Sequence, residues 1–239
     1  MPDRADLRIA VVVPAYQAAA TVGAVVARTL GTAPAARVVV VDDGSTDGTA
    51  AAAAAAGASV VRHDANCGKG AALRTGVTEA AKHPRSVIVT LDADGQHRPE
   101  EIPRLVAPIA EGRADFVLGA RQRTIAMPRR RRLTNWLSAA LASRISGQPI
   151  PDAQTGFRAF TAEVAAVVRP LQSHYDYETA FLLEALSRGV RVASVAIPTV
   201  YDGAPSHFRT VADTWRLARV FARYGRAIVW GRGGGAKGS

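Results

Sequence analysis

Across 239 residues the sequence carries one cysteine, two methionines and only 6% aromatic residues. The lone thiol, Cys67, has no partner for an internal disulfide and excludes a multi-cysteine zinc cluster, so no oxidising compartment is implied. Long apolar runs are missing too. No stretch approaches the ~18–20 residues that a spanning helix needs, and the longest, residues 50–61, is nearly all alanine. The first residues pass from charged Asp3, Arg4, Asp6 and Arg8 into an apolar strand, without the basic, apolar and small-residue succession of a secretory signal. The cytoplasm is therefore the expected setting. Two phosphate-binding signatures are also absent. The turn after the first strand reads PAYQAAAT instead of G-x-G-x-x-G, and Gly68-Lys69-Gly70 lacks the upstream glycine and following hydroxyl of a P-loop. A glycine-rich backbone cradle for phosphate is not expected.

What is present suits a folded chain: 48% hydrophobic and 21% charged residues, with a mean hydropathy of +0.05. The length fits one large α/β domain. The net charge of +10 is unevenly spread. Residues 113–144 hold eight Arg against one Asp, and residues 204–239 hold six Arg and one Lys against one Asp, so anionic partners are expected on those two segments.

Up to residue 120 the sequence alternates Val/Ile runs (8–14, 37–42, 59–62, 86–92, 115–120) with helical stretches (20–30, 46–56, 70–82, 99–111). This pattern predicts βαβ units around a mostly parallel sheet whose strands are buried on both faces. Beyond it come an arginine-rich stretch, a helix over 132–146, a loop over 147–156, a helix over 176–188, a strand over 191–197, a basic helix over 210–230 and a glycine-rich tail over 231–239.

In such a sheet ligands bind at the carboxyl ends of the strands. Here those ends read Pro14-Ala15-Tyr16, Asp42-Asp43-Gly44-Ser45-Thr46-Asp47-Gly48 and Asp92-Ala93-Asp94-Gly95-Gln96-His97. They should converge on one edge. Two carboxylates at i and i+2 on a turn offer hard oxygen ligands to Mg²⁺ or Mn²⁺, which binds diphosphate in turn. The same residues also suit plain turn and helix-capping chemistry, which explains either motif alone.

Taken in order, VVVPAYQAAATV, VVVVDDGSTDGT, NCGKGAALRTG, LDADGQHRPEEIP, DFVLGAR and DAQTGFRAF resemble a family 2 glycosyltransferase with a GT-A fold. Within that family the sequence is most similar to polyprenyl-phosphate sugar synthases, such as dolichyl-phosphate mannose or glucose synthase, over residues 9–208. The resemblance implies a metal-dependent, inverting transferase that takes a nucleoside diphosphate sugar. It assigns nucleotide contacts to Pro14, Ala15, Tyr16, Asp43, Lys69, Asp92 and Ala93. Asp94 becomes the catalytic metal ligand with Gln96 as its partner, and His207 a metal or diphosphate ligand; His97 is expected to orient the loop. Arg121, Arg131 and Asn135 take the places that hold an acceptor phosphate, with Asn135 departing from the serine of the pattern. Asp152 is a binding residue if the acceptor is a phosphate, and a general base if it is an alcohol.

These implications give a GT-A domain over 1–209, with a nucleotide-sugar half (1–120) and an acceptor half (121–209), followed by the basic amphipathic helix 210–230 and the tail. The four arginines at 129–132 followed by an amphipathic helix, and the arginine stripe of the terminal helix, suit an anionic membrane surface as well as a plain solvated face. The reading is of a peripheral protein at the inner face of the membrane, with polyprenyl phosphate or another acceptor. The sequence leaves open whether a membrane-protein partner supplies spanning segments. No nucleic-acid-binding module is present.

Overall fold

The computed structural model describes residues 7–83, 86–121, 129–172, 176–198 and 219–222, with the side chains of 129–134 and 145 outside the description. The Val/Ile runs form β1 (Arg8–Ala15), β2 (Arg37–Asp42), β3 (Ser59–Arg62), β4 (Ser86–Thr90) and β5 (Phe116–Arg121). The alanine-rich stretches between them form α1 (Val22–Thr32), α2 (Thr49–Ala55), α3 (Lys69–Ala80) and α4 (Ile102–Ala110). A single 3-10 turn over Pro99–Glu101 leads into α4, with proline first and Glu100 and Glu101 at the positive end of the dipole. Farther on lie α5 (Arg129–Ser146), β6 (Arg158–Thr161), α6 (Ala162–Val167), α7 (Tyr177–Ser187) and β7 (Val192–Ile197).

The seven strands run in the order β3-β2-β1-β4-β6-β5-β7. Every pairing is parallel except those of β6, which is antiparallel to both β4 and β5. The sheet is buried on both faces. Alternating β1 side chains serve opposite layers: Ala10 and Val12 face Leu73 and Val77 of α3, whereas Val11 and Val13 face Val22, Val25 and Val26 of α1. Helices α1, α2 and α4 cover one face, and α3, α5, α6 and α7 the other. On the second face Phe116, Phe160 and Phe181 form an aromatic knot, with ring centroids 4.8–5.8 Å apart, that fastens β6 between its neighbours.

Most predicted elements are found within a few residues of their expected bounds. Helix α5 begins three residues earlier than expected, at the first of the four arginines. Strand β6 and helix α6 were not foreseen. Of the predicted terminal helix, residues 219–222 are described and helical, with Val220 and Phe221 buried in the core; the rest, His207 and the tail lie outside the described residues.

Candidate active site

The order of strand addition reverses between the parallel neighbours β1 and β4, since β1 leads outward to β2 and β3 while β4 returns to its other side. Such a switch point opens a crevice at the carboxyl ends of the two strands. The turns predicted to converge there are joined by hydrogen bonds into one continuous edge. The first turn is stitched to the second: Gln17 N donates to Ser45 Oγ (2.9 Å), Ala18 N to Thr49 Oγ1 (2.8 Å) and Ala19 N to Asp47 Oδ2 (3.1 Å). Gln17 itself sits at φ 50°, and among the described residues it is alone among non-glycines in that left-handed region. Pro14 and Ala15 are buried beneath it, while the ring of Tyr16 is half exposed.

The second turn is bound to the third through Asp43. Its carboxylate is buried, accepts from the amides of Cys67 (3.0 Å) and Gly68 (2.8 Å), and lies 2.7 Å from His63 Nδ1. Asp43, His63 and Cys67 together bring three ligand-type atoms within 4.8 Å of one another. Both Asp43 oxygens are engaged by those amides, so the group fixes the 63–68 loop. Gly44 completes the corner: a Cβ there would lie 2.4 Å from the Ala65 carbonyl carbon, so the close approach demands glycine.

Lys69 then reaches the fourth turn. Its Nζ lies 2.7 Å from Asp92 Oδ1 and 2.8 Å from Glu178 Oε1 of α7. Burial works against both charges, but each outweighs the other's cost. The ammonium, helped by the His97 ring, holds the Asp92 carboxyl below the usual carboxylate range, and the two acids hold Lys69 above the usual lysine value. Lys69 is therefore a fixed cation and Asp92 a fixed anion at neutral pH. His97 is buried, with Nε2 3.7 Å from Asp92 Oδ2 and its ring against Phe157 at 5.3 Å, a placement suited to orienting Asp92.

Asp94, two residues on, is exposed, and Gln96 N donates to its Oδ1 at 3.0 Å. Its Oδ2 has no partner among the described residues. Ala93 is buried between the two acids and Gln96 is half-buried. One carboxylate facing solvent beside an amide side chain is a hard-oxygen set, and these residues fit Mg²⁺ or Mn²⁺.

The remaining edge is delivered by β6. Because this strand runs against the others, its first residue, Arg158, lies at the carboxyl edge opposite Thr90. The preceding 152–157 loop thus reaches the crevice. Thr90 Oγ1 donates to Gly156 O (2.7 Å), and Gly156 packs so near Asp92 that a Cβ would meet its oxygens at 2.9 and 3.0 Å. Arg158, fully buried, donates to the carbonyls of Ala153, Thr155 and Glu178, and burial pulls its guanidinium down to about 10, which still leaves it charged at neutral pH. Asp152 is buried and bidentate to Arg121 at the end of β5, with Oδ2 2.7 Å from Nε and Oδ1 3.1 Å from Nη2. Burial opposes its ionisation, yet the guanidinium overrides this and lowers the carboxyl below its ordinary value. Asn135 on α5 is buried, and its Oδ1 has no hydrogen-bond partner among the described residues. The side chain of Arg131 lies outside the description.

Glu178, Arg158, Gly156 and His63 complete this edge; Gly156 and Arg158 stand in the DAQTGFRAF motif without a role of their own, and Glu178 and His63 were not picked out from the sequence. A signal did exist for Glu178, as an acid in the first turn of a helix that continues into the apolar run Ala180–Leu183.

An open sheet with an acid-lined switch point, closed by a loop from one reversed strand, is the α/β arrangement of a GT-A fold. The sequence comparison makes it specific: residues 10–168 match the model of glycosyl transferase family 2, and the chain belongs to that family. It is 34% identical over 199 residues to an uncharacterized protein of Methanocaldococcus jannaschii, covering 81% of this chain and 82% of that one. It is 31% identical over 207 residues to the polyprenol monophosphomannose synthase of Mycolicibacterium smegmatis, covering 81% and 78%. A UDP-N-acetylglucosamine–dolichyl-phosphate N-acetylglucosaminyltransferase of Methanococcus voltae shares 29% over 147 residues, 59% of each chain. Among solved structures, glucosyl-3-phosphoglycerate synthase from Mycobacterium tuberculosis, in complex with Mn²⁺, UDP and phosphoglyceric acid, superposes with a TM-score of 0.75 at 22% identity, covering 93% of this chain and 80% of that one. That likeness speaks for the fold.

Proposed function

We propose that the enzyme moves a sugar from a UDP- or GDP-linked donor to the phosphate of a polyprenyl phosphate at the cytoplasmic face of the membrane, with inversion at the anomeric carbon. The observation that carries the choice of acceptor is the state of Asp152. An alcohol acceptor needs a base, and a carboxylate locked bidentate to Arg121, with its proton affinity lowered, is a poor one. A phosphate monoester is already ionised at neutral pH and needs none. The named relatives that use polyprenol or dolichyl phosphate support the same choice.

In this reading Tyr16 presents its exposed ring to the base, and the second turn, pinned by Asp43, walls the nucleotide pocket. Lys69 holds Asp92 ionised and oriented toward the ribose hydroxyls. Asp94, with Gln96, would hold Mg²⁺ or Mn²⁺, which supplies charge neutralisation to the departing diphosphate. Asp152 fixes the plane of Arg121 beside the acceptor phosphate, and Asn135 adds its amide from α5.

Transfer from UDP- and GDP-sugars with Mn²⁺ present, offered to prenyl phosphate and to hydroxyl acceptors in parallel, tests this. Prenyl phosphate should be glycosylated; transfer confined to alcohols overturns the reading. Asp94→Asn should lower turnover by about a hundredfold or more, the equivalent of some 3 kcal/mol of lost charge stabilisation, with the thermal midpoint unchanged because the carboxylate faces solvent. Full metal-dependent turnover in that variant refutes the role given to Asp94.

A further inference from the structure

Helix α5 is built inside out. Among the described residues its buried face is polar and small: Asn135, Ser138, Ala139, Ala142 and Ser146. Ser143 accepts from Ile150 N (2.8 Å), and Ser138 accepts from Gln154 Nε2 (3.0 Å), so this face is fastened to the loop beside the crevice. The opposite face carries Trp136, Leu137 and Leu141, which are 50%, 51% and 41% exposed, together with exposed Ala140. These are three of the six large apolar side chains exposed among the described residues. At about 100° per residue, positions 136, 137, 140 and 141 lie within one stripe roughly 140° wide, with Arg144 inside it. A surface helix in water normally places such residues against the core, so this stripe is fitted to an apolar neighbour.

The charge on the same helix identifies that neighbour. Arginines occupy positions 129–132 in its first turn and exposed Arg144 its last, and its 18 residues contain no acid. A second copy of this chain would bring two such helices together and repel. An anionic lipid surface complements both parts: the apolar side chains sink to the acyl boundary while exposed Arg144, on the same stripe, meets the headgroups. Trp136 is suited to that boundary by its apolar body and N–H tip.

We infer that the Trp136–Leu137–Leu141 face of α5 is a docking surface for anionic membrane, lying in the interface plane with Asn135 and the 148–154 loop on its far side. This deepens the polyprenyl-phosphate reading, because the face presented to lipid and the residues assigned to the lipid's phosphate then sit on opposite sides of one helix. The docking itself is measurable without turnover.

The test is co-sedimentation of the full chain with vesicles of phosphatidylcholine alone and with 30% phosphatidylglycerol. The wild-type chain should bind the anionic vesicles at least tenfold more tightly, less so in 1 M salt. Changing Trp136, Leu137 and Leu141 together to Ser should weaken that binding tenfold or more, while leaving the thermal midpoint and transfer to a short, water-soluble prenyl phosphate unaltered. Leu137→Glu, a single exposed change, should weaken it in the same direction. Equal vesicle binding by wild type and both variants overturns the proposal, as does a wild-type dimer that the triple change dissociates. If docking behaves as expected but no prenyl phosphate is glycosylated, the acceptor reading fails and the docking surface stands.

Discussion

The tie from Lys69 to Asp92 and Glu178 joins the nucleotide-side turns to helix α7, and its removal has calculable consequences. Lys69→Met keeps the length of the side chain and deletes its charge. Two carboxylates that each sat within 2.8 Å of one ammonium are left facing one another. Removing one partner from a fully buried pair costs about 3–5 kcal/mol. Lys69 and Asp92 are 20% and 25% exposed against 5% for Glu178, so solvent recovers part of that, and about 2–4 kcal/mol is expected at pH 7. The pH dependence has a definite sign. The depressed carboxyl of Asp92 contributes stability that is present above its unfolded value near 4 and lost as the pH falls through the folded value. The raised Lys69 contributes stability that is present below its unfolded value near 10 and lost only as the pH rises through the folded one. The wild-type tie is therefore intact between about pH 5 and 9. In Lys69→Met protonation relieves the repulsion between the two facing carboxylates, so the deficit measured by urea unfolding should shrink as the pH falls from 7.5 to 5. Adding Glu178→Gln should recover part of the loss at pH 7.5. A deficit below about 1 kcal/mol, or one that is the same at both pH values, refutes the account of Lys69 as the clamp of two acids.

Gly156→Ala places a methyl group within 3.0 Å of both Asp92 oxygens, on a residue whose carbonyl is held by Thr90. Overpacking of this kind costs about 1–3 kcal/mol, so the thermal midpoint should fall and the KM for the sugar nucleotide should rise about tenfold as Asp92 is pushed from Lys69; an unchanged KM would mean that Asp92 plays no part in binding. Asp152→Asn leaves the Arg121 guanidinium, 7% exposed, without its carboxylate, and should destabilise the protein by about 2–4 kcal/mol. Since the depressed Asp152 carboxyl stabilises the fold above its ordinary value near 4 and loses this only as the pH falls through the lower folded value, that deficit should persist down to about pH 4 and narrow below it. The pH–rate profile of this variant above pH 6 should keep the wild-type shape, and the disappearance of an ascending limb would restore Asp152 as the base.

Much of the edge was legible because its residues follow strands that announce themselves. A run such as RVVVVD is buried on both faces, so the first polar residues beyond it, Asp42 and Asp43, mark the end of the strand and the rim of the crevice. The acids after β4 were found in the same way. Strand β6 was not, since RAFT is four residues long, holds an arginine, and has no alternation that separates it from loop. With β6 unseen, the position of the 152–157 loop beside Asp92 was also unseen. So was the pairing of Asp152 with Arg121, 31 residues apart in sequence.

Sequence by itself determined the family, the α/β layering and the carboxylates of the acidic corner, because buried strand runs and turn chemistry are local properties written into short windows. Tertiary structure decided the states of those groups. Whether a carboxylate is a base, a clamp or an open ligand depends on which cation or amide stands within 3 Å of it, and for Asp43, Asp92 and Asp152 that neighbour arrives from a distant part of the chain. The same holds for α5, whose outward apolar face became visible only once the packing had shown which side of the helix the core rejects.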